Sequence, residues 1–406
     1  MFARKRLLVI AVSCAICSFT SHAAPGARSL AMGGVGVATA NYQSASFNNP
    51  ALLTQSKSND DVAIILPSLS AEVADPNELK DGIDNFQNAF DAFEAELAGI
   101  PLLVDGISNL GQAQGIADSL QESRTNLAQA FAALDGNAYG ATSVAMAITI
   151  PTHNYAISLY ALGTIDLGAG MDIIDSDLDI IENATSVDEL NALQSTVNVL
   201  AAAIQEYGIS IAHEFDIAGS KVSLGITPKY QIVDTFYYVT TTQGFDEDDF
   251  DADNYRVSDS NFNLDFGVSV KLNEQWILGL MARDLLSNEY QTLNPVLVYR
   301  VEPMVTVGIG YRSDWLTAGL DVDLTSKDRF GQELGATQFV RAGVELNGWD
   351  WAQVRFGYRY DTKDNAKDFI TAGLGFSPFD VVHLDITASY ADENELGAGL
   401  ELAFTF

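Results

Sequence analysis

The final stretch of the chain, LGAGLELAFTF, sets Leu396, Ala398, Leu400, Leu402, Phe404 and Phe406 on one face and Gly397, Gly399, Glu401, Ala403 and Thr405 on the other. Side chains that alternate with a period of two belong to a strand, and here one side is wholly greasy. The pattern recurs upstream, as Leu384, Ile386, Ala388 and Tyr390 against Asp385, Thr387 and Ser389, and as Ala352, Val354, Phe356 and Tyr358 against Gln353, Arg355, Gly357 and Arg359. Val340, Ala342, Val344 and Leu346 alternate with Arg341, Gly343 and Glu345, and Leu316, Ala318, Leu320 and Val322 with Gly319, Asp321 and Asp323. In a soluble sandwich the greasy face is the core. In a barrel that crosses a membrane it meets lipid, and local periodicity alone does not separate the two.

Connection lengths do. Strands are expected near 62–72, 138–150, 155–165, 205–216, 221–242, 255–272, 275–285, 295–312, 315–324, 337–347, 351–360, 368–376, 381–391 and 396–406, fourteen in all. Tight turns such as PTHN, IAGS, SDW, GWD and SPFD fall at every second link, and the links between them are longer, up to an insert of roughly 65 residues before Ala138. Short turns on one side and long loops on the other describe a transmembrane barrel with its short side periplasmic. An even count returns both termini to that side, and a last strand ending on Phe406 suits an aromatic girdle. The expected fold is therefore all-β, a 14-stranded antiparallel transmembrane β-barrel over residues 62–406, in the outer membrane of a Gram-negative bacterium.

The leader agrees. Arg4, Lys5 and Arg6 precede the apolar run LLVIAV and the small-residue site Ser21, His22, Ala23, which reads as a signal peptide over residues 1–23. A lipoprotein reading of Cys14 fails on Ala11, where a lipobox wants leucine. Cys14 and Cys17 both leave with the signal, so the exported chain has no thiol for disulfides, zinc-thiolate sites or redox chemistry. The signal takes three of the 21 basic residues and none of the 54 acidic ones, which moves the net charge from −33 to −36. So acidic a chain does not bind nucleic acid by counterion release. After the signal no apolar run reaches the length of a transmembrane helix.

The long loops carry helical patterns. Phe86, Phe90, Phe93 and Leu97 are spaced on one helix face, and Ile116, Leu120, Leu127, Phe131 and Leu134 repeat this after a break, which predicts a helical hairpin within an insert of about 77–135. Ser186 and Glu189 form a capping box ahead of Leu190, Leu193, Val197, Leu200 and Ile204, which predicts a further helix over 186–204. Such faces either pack on each other as a cap or line an entry groove, in which case Phe86, Phe90, Phe93 and Phe131 would contact an apolar ligand. The acidic run GFDEDDFDADN sets Asp249, Asp251 and Asp253 at the first positions of a calcium loop. The glycine and terminal glutamate positions hold Asn254 and Ser260, so no metal site is assigned; the run reads as a solvated loop or a loose divalent bridge to lipopolysaccharide. Pro228 and Pro303 fall inside expected strands, where a missing donor forces a bulge or a broken ladder.

Ahead of the first strand stands GARSLAMGGVGVATANYQSASFNNPA, residues 26–51, a Gly/Ala ribbon with no amphipathic period and no expected helix or strand. The lumen of a fourteen-strand barrel is too wide for side chains alone to fill, so residues 24–61 are expected to enter it as a plug. Gly26, Ala27 and Arg28, then Gly33, Gly34, Gly36 and Ala38, and finally Asn49, Pro50, Ala51 and Leu52 resemble the hatch of the FadL-like long-chain fatty-acid transporter family. The chain also resembles barrels of that superfamily described as TraF-type conjugal transfer proteins and, less closely, PorV-type secretion shuttles. The resemblance implies an N-terminal luminal hatch, helical extracellular loops, and hatch roles for Asn49, Pro50 and Ala51. The large insert before Ala138 departs from the family, so no substrate contacts carry over.

Two functions follow as expectations: passive uptake of hydrophobic small molecules, or a plugged structural barrel of a conjugation or secretion system that docks a partner protein through its loops. Outer-membrane lipids and lipopolysaccharide are expected partners in both, with no cofactor. Arg341, Glu345, Arg355 and Arg359, expected to face the lumen, would either brace the wall through ion pairs or meet a ligand carboxylate. Catalysis is not expected, because the mature histidines are His153 in a turn, His213 on a lipid-facing position and His383, whose one pairing worth testing is with Asp385.

Overall fold

A computed structural model describes residues 25–56, 60–104, 110–134, 136–152, 155–246, 254–330, 335–349 and 351–406. The signal peptide, His153 and Asp249, Asp251 and Asp253 lie outside the described residues. Among the described residues sixteen strands form: β1 (Ala63–Ala74), β2 (Asn137–Ile150), β3 (Ala156–Asp172), β4 (Thr196–Ile217), β5 (Ser220–Thr241), β6 (Arg256–Lys271), β7 (Trp276–Arg283), β8 (Asn288–Gln291), β9 (Val298–Val301), β10 (Met304–Arg312), β11 (Leu316–Asp323), β12 (Phe339–Trp349), β13 (Ala352–Asp361), β14 (Phe369–Phe376), β15 (Val382–Asp392) and β16 (Glu395–Thr405). All but β8 and β9 close into one antiparallel barrel of fourteen, with β16 returning to β1. Closure is what lets a strand structure cross lipid, because no edge is left with unpaired backbone groups.

The greasy alternation points outward. Met146, Ile148, Leu159, Ile209, Ile226, Phe356, Leu374, Ile386 and Leu400 are exposed on the outer surface, and their alternates are buried inside. At the short-turn end Trp276, Trp315, Trp349, Trp351 and Phe406 stand exposed as one aromatic ring, and Tyr155, His213 and Phe215 pack together in it. His213 is thus on the outer face, as its alternation implied. Links on the other side are long except the last, where β15 turns directly into β16.

The wall has very different heights around its circumference. β4 and β5 run 22 residues each, whereas β7 and β11 run eight. At about 3.3 Å per residue the tall side rises far beyond the apolar band. Helices α3 (Leu79–Val104) and α4 (Leu110–Ala132) do not lie over the lumen. They pack on the outer face of the tall wall, where Ala138, Ala169, Met171, Val197 and Val199 join Phe86, Phe93, Leu127 and Phe131 in one apolar cluster.

That packing explains a wrong expectation. The helix predicted over 186–204 is only one turn, Val187–Leu190, capped by Ser186, and Val197, Leu200 and Ile204 belong to β4. Here β4 is covered on both faces, by the helices outside and by loop residues inside, so its polar alternation vanishes and an apolar run imitates a helix face. The strand expected over 295–312 is also two: β9 pairs with β8 in a separate hairpin, and β10 alone joins the barrel. Pro303 sits in the break between them. Pro228 interrupts the ladder without shifting it, since Gly208 pairs with Lys229 and Ile211 with Ile226 on either side. Pro67 does bulge its strand: there the register of β1 slips by a residue against both neighbours.

Candidate functional site: the occupied lumen

Residues 25–56 lie inside the barrel at its short-turn end. The Gly/Ala segment is not a featureless ribbon, for it makes the short helices α1 (Ala27–Ala31) and α2 (Ala45–Asn48) and a 3₁₀ turn, Pro50–Gln55. Its carriers on the wall are inward glycines. A Cβ at Gly343 would meet the Met32 carbonyl, one at Gly357 the Met32–Gly33 peptide, one at Gly373 the Ala31 Cβ and one at Gly319 the Val35 and Thr39 side chains. Adjacent strands have given up their inward side chains so that a second backbone can lie against them.

Polar ties then fix the segment. Arg28 donates to both carboxylate oxygens of Glu345, at 2.8 and 3.0 Å, and to the Thr39 carbonyl. Asp321 accepts from the Gly36 and Val37 amides at 2.7 and 2.9 Å, and Thr371 and Thr387 donate to the carbonyls of Ala31 and Ala27. Asn49 donates to the Val37 and Val268 carbonyls and accepts from the Ala51 amide, so it joins two parts of the segment to β6 and caps the turn that Pro50 begins. Arg312 and Arg283 reach inward to the carbonyls of Thr39 and Phe47.

The four charged residues expected in the lumen are all buried and all paired. Arg341 grips Asp323 with both terminal nitrogens at 2.7 and 2.9 Å, Arg359 meets Glu72 at 3.1 Å, and Arg355 bridges Glu345 and Asp385. Arg341 and Arg355 brace the neighbouring pairs β11–β12 and β12–β13, whereas Arg355–Asp385 and Arg359–Glu72 reach across the lumen from β13 to β15 and β1. Arg28 completes the set, and reading it as part of a motif alone concealed its charge partner. His383 does not form a triad: its ring nitrogens meet the Ser377 and Thr405 hydroxyls, while Asp385 is held by Arg355. Among the described residues no group of side chains is arranged to hold a metal ion.

Phe86, Phe90, Phe93 and Phe131 are 0 to 5% exposed, packed on one another and on the outside of the tall wall. Packing alone accounts for them as they stand.

The upper lumen is filled by a different part of the chain. Tyr290, Tyr299 and Val301 of the β8–β9 hairpin and Phe330 of the β11–β12 loop fold inward on Ala202, Ile204 and Val233 of the tall wall. Between this layer and the N-terminal segment, Lys229 sits wholly buried among Glu206, Asp265 and Asp284, at 3.1, 3.0 and 2.7 Å. Beside it an apolar stripe of Ile65, Ala145, Ala147, Tyr160 and Leu162 descends to Phe47, whose ring meets Tyr160 edge-on at 5.6 Å.

A family model described as "F plasmid transfer operon, TraF, protein" matches residues 46–323, well over half of the chain. The chain belongs to this family. Solved structures carry the same architecture: the toluene transporter TbuX of Ralstonia pickettii covers 94% of this chain and 98% of its own at TM-score 0.53 and 11% identity. The toluene transporter TodX of P. putida gives 94%, 98%, 0.52 and 11%. CymD, a monoaromatic hydrocarbon channel, gives 95%, 97%, 0.51 and 11%. At such identities the likeness is one of fold: the TraF family member has the closed fourteen-strand barrel of FadL-like proteins. No curated protein sequence matches it significantly.

Proposed function

We propose that the protein is an outer-membrane barrel that takes up hydrophobic small molecules passively, with residues 24–61 as its hatch. The apolar stripe carries this reading. A water-filled pore has no use for Ile65, Ala145, Ala147 and Leu162 on its inner face; packed with Phe47 as they stand, they offer an apolar solute about 0.8 kcal/mol per buried CH₂ once the hatch shifts. The solved barrels of the same fold named as toluene or monoaromatic hydrocarbon carriers agree in ligand class. Asn49, Pro50 and Ala51 are then the pivot of the hatch, and Arg341, Glu345, Arg355 and Arg359 the frame against which it sits. Lipid and lipopolysaccharide surround the barrel, and no ligand contact is assigned to Phe86, Phe90, Phe93 or Phe131, since reaching them requires parting the helices.

The test compares uptake of labelled toluene and a long-chain fatty acid by cells with and without the protein, and with Leu162→Asn. Faster uptake with the protein, lowered by Leu162→Asn, is expected. Equal rates in all three strains overturn the reading.

A second reading has its own support, in the family match and in a lumen blocked at two levels: a plugged barrel of a conjugation or secretion system. A photo-crosslinker at Ala92 or Ala95, exposed on α3, separates them. Adducts with one protein during conjugation favour docking, and lipid adducts alone favour uptake.

A further inference from the structure

The low side of the wall and the tall side are joined across the mouth. β11 and β3 stand six strands apart one way round the barrel and eight the other, so a loop that leaves β11 and bonds to β3 crosses nearly a diameter. Such bonds exist. The inward Asp166 of β3 accepts from the Tyr299 hydroxyl at 3.0 Å and from Lys327 of the β11–β12 loop at 3.3 Å, and Arg329 of that loop lies 3.6 Å away. Arg329 in turn donates to the Tyr299 hydroxyl at 2.6 Å and stacks on its ring, and the Tyr299 ring meets Phe330 edge-on. At the hairpin's far strand, Thr235 of β5 donates to the Gln291 carbonyl at 2.6 Å.

We propose that the β8–β9 hairpin and residues 324–330, which follow β11, form a lid rooted on the low wall and latched to the tall wall through Asp166, so that opening this latch admits the apolar ligand to the stripe below. The proposal deepens the uptake reading and rests on it. Three features of the closed layer suit a lid and not a fixed floor. It is held to the tall wall by side chains and one carbonyl, with no ladder pairing to β3, β4 or β5. Its apolar contacts are large rings seated against small or branched residues, Ala202, Ile204 and Val233, which remain a clean apolar surface once the rings leave. Tyr299, Lys327 and Arg329 all converge on the Asp166 carboxylate, with the Thr235–Gln291 bond a second, weaker tie, so Asp166 is the main control of release. Tyr290, Tyr299 and Phe330 then occupy, in the closed state, the place where an aromatic or aliphatic solute first leaves water.

The mature chain has no cysteine, which makes the test clean. Ala202→Cys places a thiol beneath the closed lid, and a membrane-impermeant maleimide added to whole cells reads its exposure. Slow labelling is expected, rising roughly tenfold to a hundredfold when Asp166→Asn is added. A Thr235→Cys and Gln291→Cys pair, oxidised, should return labelling to the slow rate and release it again on reduction. Heat-modifiable migration in gels checks that each variant forms a barrel. Equal labelling with and without Asp166→Asn, and no effect of the oxidised pair, overturns the lid. Labelling that responds while uptake of toluene does not leaves the lid standing and sinks the uptake reading instead.

Discussion

Gly343→Ala is the sharpest probe of how the N-terminal segment is held. The added methyl would lie beside the Met32 carbonyl oxygen, 2.7 Å from the Met32 Cβ and 2.9 Å from its carbonyl carbon. Non-bonded carbons rest at about 3.5–4.0 Å, so Met32 must withdraw by roughly 1 Å. Met32 is fully buried, and moving it strains the ties from Arg28 and Thr371 on either side. Overpacking of this kind costs about 1–3 kcal/mol, an increase of about 5- to 140-fold in the undocked population. Gly163→Ala is the control: it also replaces a glycine within a strand, but its methyl would point outward with its nearest neighbour, the Val144 carbonyl, at 4.0 Å. Relief of backbone entropy makes that change neutral or slightly stabilising. Chymotrypsin cleavage between Leu30 and Phe47, followed by mass spectrometry on the folded barrel, measures undocking. Cleavage of Gly343→Ala at the same rate as wild type and Gly163→Ala would refute the claim that inward glycines exist to seat the segment.

Replacing Arg28 by Met removes a buried fork and leaves Glu345 with Arg355 alone, a loss of about 3–5 kcal/mol seen in the same protease assay, with Arg28→Lys intermediate. Phe86→Ala empties the centre of the helical cluster at a cost of about 3–5 kcal/mol; proteolysis between residues 79 and 132 should rise while gel migration of the barrel is unchanged. Burial, and then the neighbouring Arg329, push Lys327 down from 10.5 to about 7 against the pull of Asp166 from β3 and Asp284 behind β7. A base held below its free value favours the closed loop increasingly as pH rises from about 7 toward 10.5, and least below 7. Maleimide labelling of Ala202→Cys should therefore be faster at about pH 6 than at about pH 8.5, and Lys327→Met should flatten the difference.

The barrel was legible because its outer face has one solvent. Wherever a strand keeps an open apolar face outside and polar groups inside, as in β12 to β16, alternation marks every residue and the expected limits fall within a few residues of those observed. Legibility ended where both faces are protein. Val197 to Ile204 carries apolar residues on both sides, and a strand so covered has the composition of a helix face. The hairpin was missed for a related reason: Tyr290 and Tyr299 flank an Asn294–Pro295 turn, a fair hairpin signal, but Val298 to Val301 runs into β10 with only Pro303 to mark the break. The seat of the N-terminal segment left a signal that went unread, since Gly343, Gly357, Gly373 and Gly399 stand at inward positions of four strands. Glycine at the inward place of one strand is unremarkable; the same choice in neighbouring strands implies something resting on them.

What no reading of single strands could supply is that the two closures meet. The root of the lid, Asp284, and the top of the N-terminal segment, Phe47, are linked through one cluster: Asp284 and Glu206 both bind Lys229 and Gln231, Tyr160 beside Glu206 packs edge-on against Phe47, and Arg283 next to Asp284 holds the Phe47 carbonyl. These residues come from five separate elements, and their pairing follows from closure of the barrel. A buried cluster with one lysine and three carboxylates tolerates little rearrangement, because any group that leaves strands a charge away from water. Asp284 stands at the base of the hairpin, with its amide fixed to Asp265 at 2.8 Å, so this cluster sits between the outer closure and the ring on which Phe47 rests. The same ions that keep the lumen shut therefore give the outer closure a physical route to the inner one.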